Sequence, residues 1–157
     1  MTDATIELDA SHVNKSIDKL TKAGKTRPLM DDVGRIMVTD TQLNFKSQRT
    51  PDGTPWKKTH RGGHILRKTG DLRNSIKYDL QGDDTVKIGT NLIYAPVHQF
   101  GATIKAKNAP YLRFMIGGKF ISKKQVTIPA RPFIGLEKRQ VNKINAAIDR
   151  WADKLLG

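Results

Sequence analysis

Apolar residues recur at helical spacing in three stretches of this chain, and between them the pattern shifts toward strands and turns. Near the end, Val141, Ile144, Ile148, Trp151 and Leu155 fall at offsets of 3, 7, 10 and 14, one stripe on a 3.6-residue helix. That stripe predicts a long amphipathic C-terminal helix. Leu29, Val33, Ile36, Met37 and Leu43 predict a second helix from about Pro28 to about Phe45. Pro28 suits a first turn, and Asp31 and Asp32 are expected in that turn, facing the positive end of the helix dipole. A third helix would carry Val13, Ile17 and Leu20, capped by Ser11 and stopped by Gly24.

The middle of the chain reads as hairpins. Residues 66–76 predict a short turn or helix feeding a strand over 76–80. Gly82-Asp83-Asp84 is a turn signal, and 85–89 returns as the partner strand. The run Val86 to Gly101 then reads as a strand, a turn, a short aromatic helical segment and a glycine stop. Residues 102–106 are expected to extend the same sheet. Residues 111–116 and 119–128 flank Gly117-Gly118 as a second hairpin with basic arms. The later run Ile128-Pro129-Ala130-Arg131-Pro132-Phe133-Ile134-Gly135 is a proline-stiffened approach to the last helix. The fold class is therefore α+β: N-terminal helices, an antiparallel sheet of hairpins and a long C-terminal helix, in one domain over 1–157.

One stretch, about 46–67, loses periodicity. It holds Pro51-Asp52-Gly53, Pro55 and Gly62-Gly63, all breaker signals. A loop of about twenty residues is uncommon inside a compact domain and usually has a use. Trp56 in its middle is expected to bury, because a large aromatic seeks a partner surface. Its own core and a neighbouring subunit are both open to it.

Composition adds charge to this picture. The chain has 28 Lys and Arg against 15 Asp and Glu, a formal net charge of +13. From 44 to 73 the balance is +6, from 105 to 139 it is +8, and the remainder sums to −1. Charge so segregated implies a positive surface suited to nucleic acid or to an acidic protein; a merely solubilising face is the bland alternative. There is no cysteine, hence no disulfide framework or thiolate chemistry. No apolar run reaches bilayer length, and the first residues lack a secretory-signal pattern. The expectation is a soluble protein made in the cytoplasm with no membrane partner.

Candidate chemistry is thin. His60 and His64 stand four apart, but Gly62-Gly63 between them argues against a helix, and no carboxylate completes a metal site. His98, beside Tyr94 and Phe100, has no nominated partner or pocket for general-base work. Asp83-Asp84 belongs to a turn, where Asp is favoured by local hydrogen bonds. No phosphate loop, dinucleotide glycine pattern or activated serine appears. The expectation is a protein that is not an enzyme and needs no cofactor or metal. Basic segments interleave with Trp56, Tyr111, Phe114 and Phe120, so DNA contact, if made, would be to backbone and salt-sensitive.

Four blocks occur in order: Phe45-Lys46-Ser47-Gln48 with Pro51-Asp52-Gly53-Thr54-Pro55-Trp56; Ile65 through Ile76; Val86-Lys87-Ile88-Gly89-Thr90-Asn91 through Tyr94-Ala95-Pro96-Val97-His98-Gln99-Phe100-Gly101; and Ile128 through Gly135. This arrangement resembles the virion morphogenesis proteins of Mu-like phages and prophages, related to tail-completion proteins of contractile-tailed phages, over roughly residues 29 to 157. The resemblance implies a small α+β structural protein of the phage neck or tail end. It would assemble in the host bacterial cytoplasm as a ring, expected to be sixfold, against the tail tube and head-connector proteins, with non-specific contact to phage DNA. Under it, Trp56, Tyr94, His98, Phe100, Arg131 and Phe133 are candidates for subunit or partner contact. Lys57, Lys58, Arg61, Arg67 and Lys68, with Lys119, Lys123 and Lys124 on the hairpin, are candidates for a basic face. The competing expectation is a sequence-independent DNA-binding protein of a prophage or other mobile element.

Overall fold

The computed structural model describes residues 6–9, 26–59, 65–66 and 69–156. The helix expected over 11–24 lies outside the described residues, as do His60, Arg61, His64, Arg67 and Lys68.

Helix α1 (Arg27–Ser47) ends where Gln48 turns left-handed at φ 54° and its N–H donates to the Asn44 carbonyl. The helix starts at Arg27, so Asp31 and Asp32 fall in its second turn rather than its first. There they work by side-chain contact and not by the dipole: Asp31 pairs with Arg35 at 2.8 Å and accepts from the Tyr78 hydroxyl at 2.7 Å, and Asp32 also pairs with Arg35. The buried line is Leu29, Met30, Val33, Met37 and Phe45, while Leu43 faces outward. Gly34 lies directly under the Tyr78 ring, where a Cβ would sit 2.3 Å from a ring carbon, so the missing side chain sets how closely α1 lies on the sheet.

That sheet has three antiparallel strands, β1 (Ile6–Asp9), β2 (Lys77–Gln81) and β3 (Thr85–Gly89), in the order β1-β3-β2. Strand β1 had no sequence signal strong enough to be expected. Helix α2 (Asp71–Asn74) leads into β2, and the hairpin register places Tyr78 opposite Ile88 and Leu80 opposite Val86. Val86 and Ile88 are fully buried beneath α1. Along the chain follow α3 (Ala95–Phe100), then β4 (Ala102–Lys105), β5 (Leu112–Ile116), β6 (Lys119–Lys123), β7 (Gln125–Ile128) and α4 (Lys138–Leu156).

Helix α4 packs on α1 through Ile144, Ala147, Ile148, Trp151 and Leu155, with Gln140 buried at its start. Val141, expected on this stripe, is exposed; Ala147 occupies the inner line instead. The α1–α4 contact has a polar pin. The buried Asp40 carboxylate meets Arg139 at 3.0 Å, and also Lys143 and the Gln140 amide. Burying that carboxylate is tolerable because three donors surround it.

Strand β4 does not extend the three-stranded sheet. It pairs with β7, from Ala102 opposite Ile128 to Lys105 opposite Gln125, while β5 pairs with β6. The turn at Gly117 and Gly118, both at positive φ, folds the chain back on itself, and the returning segment supplies β4 with its antiparallel partner. The result is a basic arm over 102–128. None of its residues belongs to the buried core or packs against it among the described residues.

Candidate interaction surface

The base of the arm is densely hydrogen-bonded. Residues 131–134 run mostly buried and outside any strand, so side chains satisfy their backbone. Gln99 on α3 does most of this: its Oε1 accepts from the N–H groups of Phe133 (3.0 Å) and Ile134 (3.2 Å), and its Nε2 donates to the Ile134 carbonyl at 2.8 Å. Asn44 on α1 donates to the Phe133 carbonyl at 3.0 Å, and the Trp56 indole N–H donates to the Pro132 carbonyl at 2.9 Å. The Arg131 N–H donates to the His98 carbonyl at 2.7 Å, and its guanidinium Nε donates to the Lys57 carbonyl at 2.9 Å.

Two glycines make this joint sterically feasible. At Gly101 (φ 75°) a Cβ would lie 2.8 Å from the Ala130 nitrogen and 2.9 Å from the Ile128 oxygen, both backbone atoms that cannot yield. At Gly135 it would meet the Pro51 ring at 2.5 Å. The 128–135 run, the glycine stop and the Pro51-Asp52-Gly53 loop are thus one piece of construction.

The structure sorts the candidate residues. Trp56 is buried in its own core: its ring meets Phe45 edge-on with centroids 5.5 Å apart. Phe133 is fully buried against Phe45 at 5.1 Å, and Arg131 is buried with its guanidinium turned to loop carbonyls. These three, expected as contact residues, are buried within this chain and shape its surface from behind. His98 is half-buried, edge-on to Tyr94 with ring centroids 5.9 Å apart, and its Nδ1 has no hydrogen-bond partner among the described residues. Burial, helped by the nearby Arg131 charge, holds its pKa below the ordinary histidine value. Tyr94 and Phe100 are exposed, as is Ile93 (79% exposed); Ile93 and Tyr94 immediately precede α3 and Phe100 ends it.

Lys57 and Lys58 are exposed beside the arm base, and Lys119, Lys123 and Lys124 are exposed on the arm. The arm also carries Lys105, Lys107 and Arg113, six cations with no Asp or Glu. Residues opposite one another in a hairpin share a face. On one face Met115 lies opposite Phe120 and Arg113 opposite Ser122, all four exposed. On the other, Phe114 lies opposite Ile121 and Leu112 opposite Lys123, with the apolar members half-buried.

Sequence reading missed Gln99, Asn44, Asp40 and Gln140. Their signal is a partner, in most cases dozens of residues away, and hydropathy registers such residues only as surface. No group of three or more His, Asp or Glu that could hold a metal occurs among the described residues. An open groove runs along β2 and β3, lined by Asp71, Tyr78, Asp79 and Lys87 among others; it gathers none of the candidate residues.

What fold and surface define together is a small α+β protein whose distinctive chemistry points outward, on an arm and a short apolar helix, rather than into a pocket. Residues 8–153 match the model of the phage virion morphogenesis family, and the chain belongs to that family. It is 27% identical to the putative capsid assembly protein G of Escherichia phage Mu, over 93% of this chain and 92% of that protein. It is 30% identical to Mu-like prophage FluMu G protein 2 of Haemophilus influenzae, over 80% of this chain and 78% of the relative. FluMu G protein 1 of the same organism is 25% identical over 95% and 94%. No solved structure matches the chain. Family membership gives the protein a part in phage virion assembly. No helix among the described residues is long and apolar enough to cross a membrane.

Proposed function

We propose that this protein completes the phage tail or joins tail to head, acting as a ring at the neck. The observation that carries the reading is the arm: a two-stranded basic ribbon with exposed apolar side chains, held at its base by the 131–134 joint and outside the protein's own core. An isolated two-stranded ribbon is marginally stable in water, so such an arm is suited to an assembly that covers it. Ring formation would use head-to-tail contacts, for which the exposed Ile93, Tyr94 and Phe100 supply apolar area. The basic surface would suit passage of DNA through the ring or docking on an acidic particle protein.

The relative in phage Mu carries the name of a capsid assembly protein, and action on the head before joining is the second reading. Electron microscopy of lysates from the encoding phage with this gene deleted separates the two. Filled heads beside unjoined tails are expected; overlong tails would assign termination in particular. Malformed or absent heads would favour the capsid reading, and normal infectious particles would overturn both. In that last case the +13 charge favours sequence-independent DNA binding, detectable as duplex affinity that falls steeply with salt.

A further inference from the structure

We infer that the outer stripe of helix α4 carrying Asp149 and Asp153 receives the basic arm of a second copy of this chain. This rests on the ring reading above and names the contact that would build it. Both aspartates are exposed, one helical turn apart. At 3.6 residues per turn they fall opposite the Ile144, Ala147, Ile148 and Trp151 line that packs on α1. Neither carboxylate makes an ion pair or hydrogen bond among the described residues, although Arg150 and Lys154 adjoin them in sequence. Alone, the arrangement is unfavourable: like charges four apart on a helix repel, and Asp153 lies in the last turn, where the helix dipole favours cations.

The other described carboxylates are occupied or well placed. Four are ion-paired. Asp52, Asp79 and Asp84 accept hydrogen bonds from neighbouring side chains. Asp71 and Glu137 stand at helix starts, where a carboxylate is at home. The six cations of the arm are also exposed, and none is ion-paired among the described residues.

Charge complementarity decides the occupant. Each copy carries a basic arm and an acidic stripe that do not pair within the chain. An acidic particle protein would satisfy the arm and leave the aspartates alone; DNA would satisfy the arm and be repelled by them. A second copy pairs both, arm to α4, and does so head to tail, the kind of contact that closes a ring. Lys119 and Lys123 stand four apart on β6 and so share a face. Asn142 and Ala146 continue the α4 stripe with neither charge nor bulk to oppose a ribbon laid along it.

The test uses the full chain, as an equal mixture of isotope-labelled and unlabelled protein treated with a carbodiimide, which joins a lysine amine to a carboxylate in contact with it. Mixed-isotope peptide pairs linking Lys119, Lys123 or Lys124 to Asp149 or Asp153 are expected. Sedimentation then compares wild type with K119E/K123E, with D149K/D153K and with the variant carrying all four changes. The four positions are exposed, so circular dichroism is expected to be unchanged. Either pair alone sets like charge against like and should weaken self-association at least about tenfold. The fourfold variant keeps the wild-type net charge and opposite signs across the contact, and should recover the loss. If either pair unfolds the chain, the wild-type crosslinks decide alone. Crosslinks between copies that avoid these residues, loss in fewer than both paired variants, or loss without rescue each overturn the proposal and leave the ring reading standing. Wild-type protein that stays monomeric, alone and with tails purified from the deletion lysate, overturns the ring reading and this contact with it.

Discussion

Trp56→Ala is expected to destabilise the monomer severely, and the size of that loss follows from what the ring touches. Trp56 is 5% exposed, sits edge-on to Phe45 and donates its indole N–H to the Pro132 carbonyl. Truncating a buried tryptophan costs about 3–5 kcal/mol in transfer and cavity terms, and the orphaned carbonyl adds about 1 kcal/mol. For a protein of this length each kcal/mol is roughly 2–4 °C in Tm, so a drop of about 8–24 °C is expected. Urea unfolding followed by far-ultraviolet circular dichroism is the right assay, because the only other tryptophan is Trp151 and fluorescence would report different sites in the two proteins. Two protein concentrations separate monomer stability from any contribution of association. Trp56→Phe should lose less, about 1–3 kcal/mol, mainly the hydrogen bond. A loss below about 1 kcal/mol for Trp56→Ala, together with abolished self-association, would refute the core placement and return this ring to a neighbour's surface.

Asp40→Asn should cost about 3 kcal/mol in the same unfolding assay, because three donors lose one buried carboxylate; Arg139 and Lys143 are partly exposed and can return to water, which keeps the loss from growing further. Gly101→Ala should cost well over the roughly 1–2 kcal/mol of a left-handed residue alone, since its Cβ meets backbone, whereas Gly117→Ala, with open space around it, should cost only that much. His98 has a folded pKa below its unfolded value, so the unfolded chain takes up the proton first and stability falls as pH drops below about 6.5. Replacing it with Gln should flatten the pH dependence of the unfolding midpoint between about pH 7 and 5, against the unchanged background of the other three histidines; an unaltered slope would place the proton uptake elsewhere.

Two helices were legible because their apolar residues kept one face. Helix α1 and helix α4 both follow their stripes, and the β2–β3 hairpin follows from Gly82-Asp83-Asp84 between two alternating segments. The limits are equally physical. A strand pattern states that a residue has a face, not which strand lies beside it, so β4 was read into the main sheet when it pairs with β7. Val141 has the right offset and the wrong exposure, while Ala147, which the stripe did not include, is buried. Burial of Trp56 was legible; its partner was not, since Phe45 and Pro132 meet it only once 128–135 has threaded the interior. The polar joint was hidden for the same reason. Gln99 reads as surface until the unpaired backbone of Phe133 and Ile134 is placed against it.

The joint also explains why a projecting ribbon and an ordered core occur in so small a chain. Both ends of the arm enter the core within a few residues of one another: Gly101 abuts the backbone of Ile128 and Ala130, and the Arg131 N–H donates to the His98 carbonyl. From there α3, α1 and the Trp56 loop each bond the 131–134 backbone, so three separate elements set the direction in which the arm leaves. Fixing that direction in the free protein reduces the ordering cost that a flexible tether would meet on docking. It also assigns different tasks to the two halves of the family-like motifs. The buried members, Trp56, Arg131 and Phe133, hold the joint, while Tyr94 and Phe100 are exposed. A substitution in the first group should act through folding and one in the second through assembly.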